Sequence, residues 1–100
     1  MSEQQSGDVS ASILREAADI VGGARNATHG DKERSFQAIA GLWNAYLDAR
    51  KEGGPISARD VAWMMTMLKA ARSVQGKPVR DHFVDGAGYA AIAGECGDLA

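Results

Sequence analysis

Apolar residues along this chain recur every three to four positions in separate runs divided by glycine- and proline-containing stretches, and that rhythm predicts helices. Ile13, Leu14, Ala17, Ile20 and Val21 form the first stripe; Ser10 or Ser12 offers an N-cap, and Gly22-Gly23 stops the run. Residues 1–9 are expected to form a disordered tail ahead of a single domain over 10–100. A second helix is expected from near Asp31, with Phe36, Ile39, Ala40, Trp43 and Leu47 on one stripe and Gly53-Gly54-Pro55 as its stop. Ile56-Ser57-Ala58-Arg59-Asp60-Val61 reads as a capped start, with Ser57 as N-cap and Asp60 at the third helical position. From Val61 to Leu68 only Thr66 is not apolar, so this third helix is expected to be central and covered on all sides. A fourth helix is expected from about Val79 toward Glu95, rich in glycine and alanine. No segment alternates with a period of two, so no strand is predicted. The fold class expected is all-α, with four helices in a bundle-like domain whose short elements pair two chains to complete a core.

Composition changes this picture little. Across 100 residues, 45% are hydrophobic and 24% charged, the profile of an ordinary globular chain. A formal charge of −2 argues against a duplex nucleic-acid binder, which would present a basic face. One cysteine, Cys96, excludes an internal disulfide framework and points to a reducing, cytoplasmic setting. No apolar run approaches a membrane span, and the polar start does not resemble a signal peptide.

Candidate chemistry therefore rests on acids and bases carried by helices. No zinc-spaced Cys/His set, nucleophile elbow or phosphate-cradling loop with its lysine occurs. Asp85 lies in an otherwise apolar or small run, where an ionised carboxylate is expected to be buried and to need a cation. Asp81 shares its face one turn earlier, so the compensating charge is either a divalent ion held by both or a basic side chain such as Lys69, Arg72 or Arg80. Lys69 follows a nearly continuous apolar stretch; it either acts at a site or extends its ammonium to solvent. Asp60 and Glu33 have helix-start roles available as well as functional ones. Arg25 and His29 lie in a glycine-flanked loop just before the second helix, which could bring positive charge and free N–H groups to an anionic ligand.

These residues fall within blocks that resemble a small phage-associated domain family. The blocks are His29-Gly30-Asp31 with Ser35-Phe36; Ile39-Ala40-Gly41-Leu42-Trp43; Asp60 through Arg72; and Asp81 through Ala91. That family is similar in turn to the MazZ branch of the MazG-like, all-α nucleoside triphosphate pyrophosphohydrolases. The resemblance implies a MazG-like four-helix fold, a homodimer or homotetramer, and cleavage of a (purine deoxy)nucleoside triphosphate to monophosphate and pyrophosphate. It further implies Mg²⁺ or Mn²⁺ held by Asp60, Asp81, Asp85 and Glu33, with Glu33 and Lys69 catalytic. Arg25, His29, Lys69, Arg72 and Arg80 would grip the triphosphate. The broader Glu-x-x-Glu and Glu-x-x-Asp elements do not occur; Asp81-x-x-x-Asp85 would replace the second, and Glu33 or Asp60 would contribute to the first. The competing expectation is a non-catalytic helical interaction module whose acids only pair with Lys69 and Arg80.

Overall fold

The computed structural model describes residues 3–22 and 29–97. Among them are four helices and no strand: α1 (Glu3–Gly22), α2 (His29–Ala49), α3 (Ala58–Val74) and α4 (Arg80–Glu95). The all-α expectation is met. The chain falls into two compact units, Met1–Glu33 and Arg34–Ala100, with α2 running through the boundary.

In the first unit, α1 begins at Glu3, well before the expected Ser10 or Ser12, and so takes in most of the stretch read as a tail. No proline interrupts the first turns of α1. The last turn of α1 has no basic residue of its own. Lys32 supplies that charge from α2 by donating to the Val21 carbonyl, one of the four acceptors a helix end leaves without an internal partner. The apolar stripe of α1 stays exposed, Leu14 at 70%.

The second unit is built around α3. The Trp43 indole Nε1 donates to the Met64 carbonyl at 2.7 Å, fastening α2 to the middle of α3. Ser35 and Gln75 exchange two bonds that join the early part of α2 to the C-cap of α3: Ser35 Oγ donates to Gln75 Oε1 at 2.7 Å, and Gln75 Nε2 donates to the Ser35 carbonyl at 3.3 Å. Helices α3 and α4 pack antiparallel. Arg59 at the start of α3 donates to the Ala93 carbonyl at 2.9 Å and to the Cys96 carbonyl at the end of α4, while Lys69 lies against Gly86 and Asp85. Arg59 thereby caps the negative end of α4, which has no base in its own last turn.

The buried apolar residues are Ile39, Ala62, Ala71 and Ala93. Of these, α3 supplies two, together with buried Asp60. However, α3 is not covered on all sides as its composition suggested: Val61 is 46% exposed and Trp63 40%. A helix apolar all round calls for neighbours all round, and this chain alone provides them on only part of the circumference.

Candidate functional site

The start of α3 folds as its residues demand. Ser57 has an extended backbone and accepts from the Asp60 N–H at 3.2 Å, while the Ser57 N–H donates to Asp60 Oδ2 at 2.8 Å. This is the reciprocal capping box read from the spacing. Two further partners reach Asp60 from the end of α2. The Tyr46 hydroxyl donates to Oδ1 at 2.6 Å, and Arg50 Nη1 donates to Oδ2 at 3.0 Å. Arg50 continues to the Pro55 carbonyl at 3.4 Å and, through Nη2, to the Gly54 carbonyl at 3.1 Å. The guanidinium thus closes the α2–α3 loop over the carboxylate. Gly54 turns that loop at φ +103°, a left-handed value that a side chain would strain.

Asp60 is 8% exposed, and the Tyr46 hydroxyl, the Ser57 amide and hydroxyl, and Arg50 together hold its carboxyl at about 2, below the ordinary 3.8. Burial, then the hydrogen bond to Asp60, raises the Tyr46 phenol above its usual value. Both carboxylate oxygens are engaged by this frame. Nine residues separate Asp60 from Lys69, about 13 Å along the helix, so Asp60 stands toward the opposite end of α3 from the other candidate acids. The sequence identified the capping half of this site. Tyr46 and Arg50 are absent from its candidate residues, although their i, i+4 spacing beside a Gly-Gly-Pro loop is an available signal.

The second constellation lies on the α3–α4 seam. Lys69 Nζ pairs with Asp85 Oδ2 at 3.2 Å. Arg72 is nearly one turn beyond Lys69 and Asp81 is one turn before Asp85, so helix spacing sets Arg72 and Asp81 on the same sides of α3 and α4 as the ion pair. Arg72, Arg80 and Asp81 are exposed. The expectation that Asp85 is buried is corrected: its side chain is 47% exposed. A run of small residues implies burial only if another element covers that side, and the Asp85 side of α4 remains open to solvent. Its cation is Lys69, one of the two alternatives left open by the sequence.

Of the remaining candidates, Glu33 is exposed at the boundary between the units, and His29 opens α2, where the sequence placed a loop. Arg25 lies outside the described residues. Among the described residues, no three or more His, Cys, Asp or Glu side chains cluster in a way that could hold a metal ion. Asp60, Asp81 and Asp85, all in the second unit, form no such group. No helix among the described residues is long and apolar enough to cross a membrane.

Residues 12–97 match the model of a domain family of unknown function, DUF6378, and the chain belongs to that family. It is 41% identical over 81 residues to the Gene 55 protein of Mycobacterium phage L5, an alignment covering 81% of this chain and 49% of that protein. It is 43% identical over 82 residues to the Gene 55 protein of Mycobacterium phage D29, covering 82% of this chain and 51% of that one. The chain thus spans about half the length of these curated relatives. No solved structure matches it.

Proposed function

We propose that this DUF6378 domain with phage relatives is a divalent-metal-dependent nucleoside triphosphate pyrophosphohydrolase acting in the host cytoplasm. The observation that carries the reading is the exposed meeting of Lys69 with Asp85, flanked by Arg72 and Asp81. Magnesium sites commonly use one or two carboxylates and complete the shell with substrate phosphates and water, so Asp81 and Asp85 fit as the protein's share of such a shell. Lys69 engages only one Asp85 oxygen and leaves the carboxylate half open to solvent, which is compatible with that role. A bound Mg²⁺ or Mn²⁺ would supply charge neutralisation and a more acidic water.

The remaining work falls to this chain's own side chains. Lys69, Arg72 and Arg80 offset the charge of the triphosphate, and Arg72 does so as a planar donor suited to phosphate oxygens. The N-cap of α4, Val79, makes no side-chain cap; the His82 N–H donates to the Val79 carbonyl, and the N–H groups of Arg80 and Asp81 face the N-terminal end where an anion could sit. Glu33 belongs to the other unit and is not assigned to this seam. Asp60, with both oxygens engaged in the α2–α3 frame, is assigned to that frame and not to the metal.

The test is incubation with a panel of ribo- and deoxynucleoside triphosphates and Mn²⁺, with pyrophosphate as the readout. Turnover of at least one triphosphate is expected; a folded sample that releases no pyrophosphate from any of them overturns the reading. A second reading, a helical interaction module, is favoured by the exposed apolar residues of α1 and α3. It predicts neither pyrophosphate release nor stabilisation by Mn²⁺ with nucleotide.

A further inference from the structure

The flank of the α3–α4 seam that carries the Lys69–Asp85 pair changes character along its length. On α3, Arg72 lies nearly one turn after Lys69, while Met65 and Val61 lie about one and two turns before it. On α4, Asp81 lies one turn before Asp85, while Gly88 and Ile92 lie about one and two turns after it. Because the helices run antiparallel, Arg72 and Asp81 fall at one end of this flank, and Met65, Val61, Gly88 and Ile92 at the other. The first end is charged. The second is not, for no charged residue occurs from Val61 to Leu68 on α3 or from Gly86 to Gly94 on α4.

Register sets the two apolar rows across from each other. A Cβ at Gly86 would stand 3.6 Å from Lys69 Cβ, and Arg59 reaches the Ala93 carbonyl at 2.9 Å. Half-buried Met65, four residues before Lys69, is thereby level with residues 88–90 of α4, and Ile92 beyond them is exposed. Gly86 is explained by the close approach of Lys69. Gly88 is not: a Cβ there would meet nothing within 4 Å, although glycine is a poor residue for a helix interior. No contact among the described residues accounts for a glycine at that position.

We infer that the apolar end of this flank seats the nucleoside of the substrate, with the base over Met65 and Gly88 and the phosphates directed toward Lys69 and Arg72. The inference rests on the proposed function, which puts the phosphates at the ion pair. A nucleoside triphosphate is charged at one end and aromatic at the other, and the seam has the same order. Met65 supplies a polarisable thioether, which makes favourable contact with aromatic rings. The missing side chain at Gly88 leaves room for a flat ring, and Ile92 extends the apolar surface beyond it. A seat of this kind holds the base through buried apolar area, so a nucleotide binds more tightly than inorganic tripolyphosphate, which offers the phosphates alone.

Calorimetry with Mn²⁺ reads this without turnover, using α,β-methylene analogues of the four deoxynucleoside triphosphates beside inorganic tripolyphosphate. The native chain should bind at least one analogue about 10-fold or more tightly than tripolyphosphate. Gly88→Leu, which fills the seat, should abolish that difference and leave tripolyphosphate affinity as native; Gly88→Ala should lose part of it. Neither variant should lower the Tm, since alanine and leucine are better helix formers than glycine. Gly41→Leu is the control, because Gly41 lies within α2 with equal room for a side chain, and it should change neither affinity. A native chain that binds no analogue better than tripolyphosphate overturns the inference. So does a folded Gly88→Leu or Gly88→Ala chain that keeps the full native difference, or a Gly41→Leu chain that loses it as well. Failure of the proposed function alone looks different: the analogues bind and respond to Gly88→Leu, yet no triphosphate yields pyrophosphate. A chain that binds neither ligand overturns both.

Discussion

Asp60 and Asp85 are carboxylates of the same unit, on helices that pack together, and they live in opposite surroundings. Asp60 is enclosed at the α2–α3 junction by a phenol, a guanidinium and its own cap, and its proton affinity falls accordingly. Asp85 stands in the open on the α3–α4 seam with one lysine beside it. A charge can be buried only where donors are already arranged around it, and an acid so satisfied has little capacity left for a ligand. An acid held by a single exposed lysine retains that capacity. Asp60 thus holds the fold, Asp85 is the acid that the proposed function assigns to chemistry, and each should fail in its own way when replaced.

The largest structural effect is expected at the enclosed acid. Asp60→Ala removes the partner of Arg50 and Tyr46 together with half of the capping box, and should lower the Tm by on the order of 10 °C, read by thermal unfolding. Asp60→Asn, which keeps the shape and loses the charge, should show a smaller decrease. The pH dependence follows from the same frame. The folded-state value of Asp60 lies below its ordinary value, so its stabilisation is fully present above pH 3.8 and is lost as pH falls toward about 2. Unfolding titrations should therefore be steeper over that window for the native chain than for Asp60→Asn; identical slopes would contradict the assignment.

Next in size is Trp43→Phe, which keeps most of the ring and deletes the donor to the Met64 carbonyl. It should lower stability by about 1 kcal/mol, measured by urea denaturation. Smallest of all should be Lys69→Met. An exposed ion pair contributes about 0–1 kcal/mol, so stability should hardly move while turnover of the triphosphate falls. A large loss of stability would make Lys69 another framing residue and erase the contrast with Asp60.

How far the sequence reached follows the same division. Helices α3 and α4 were legible to within a residue or two, because Ser57, Asp60, Gly53-Gly54-Pro55 and Pro78 act through local backbone geometry. The start of α1 was not, since Glu3 to Asp8 carries no apolar residue and Ser6, Gly7 and Asp8 are poor helix formers, so no local signal marks a helix there. Asp85 was misjudged for a related reason. Periodicity tells which residues share a face, whereas burial depends on what covers that face, and α4 exposes Val84 and Ile92 on its outer side. Tyr46 and Arg50 escaped notice as site residues because they meet Asp60 only through the α2–α3 turn, at separations of 14 and 10 residues.

The most direct measurement is made on Asp85→Asn, with thermal unfolding and Mn²⁺-dependent pyrophosphate release followed on the same sample beside the native chain. The account predicts a Tm within a few degrees of native, since the lost pair is exposed, and a fall in pyrophosphate release of about 100-fold or more. Full activity in that variant, or a collapse of stability like that expected for Asp60→Ala, would contradict the assignment of the α3–α4 seam as the working site.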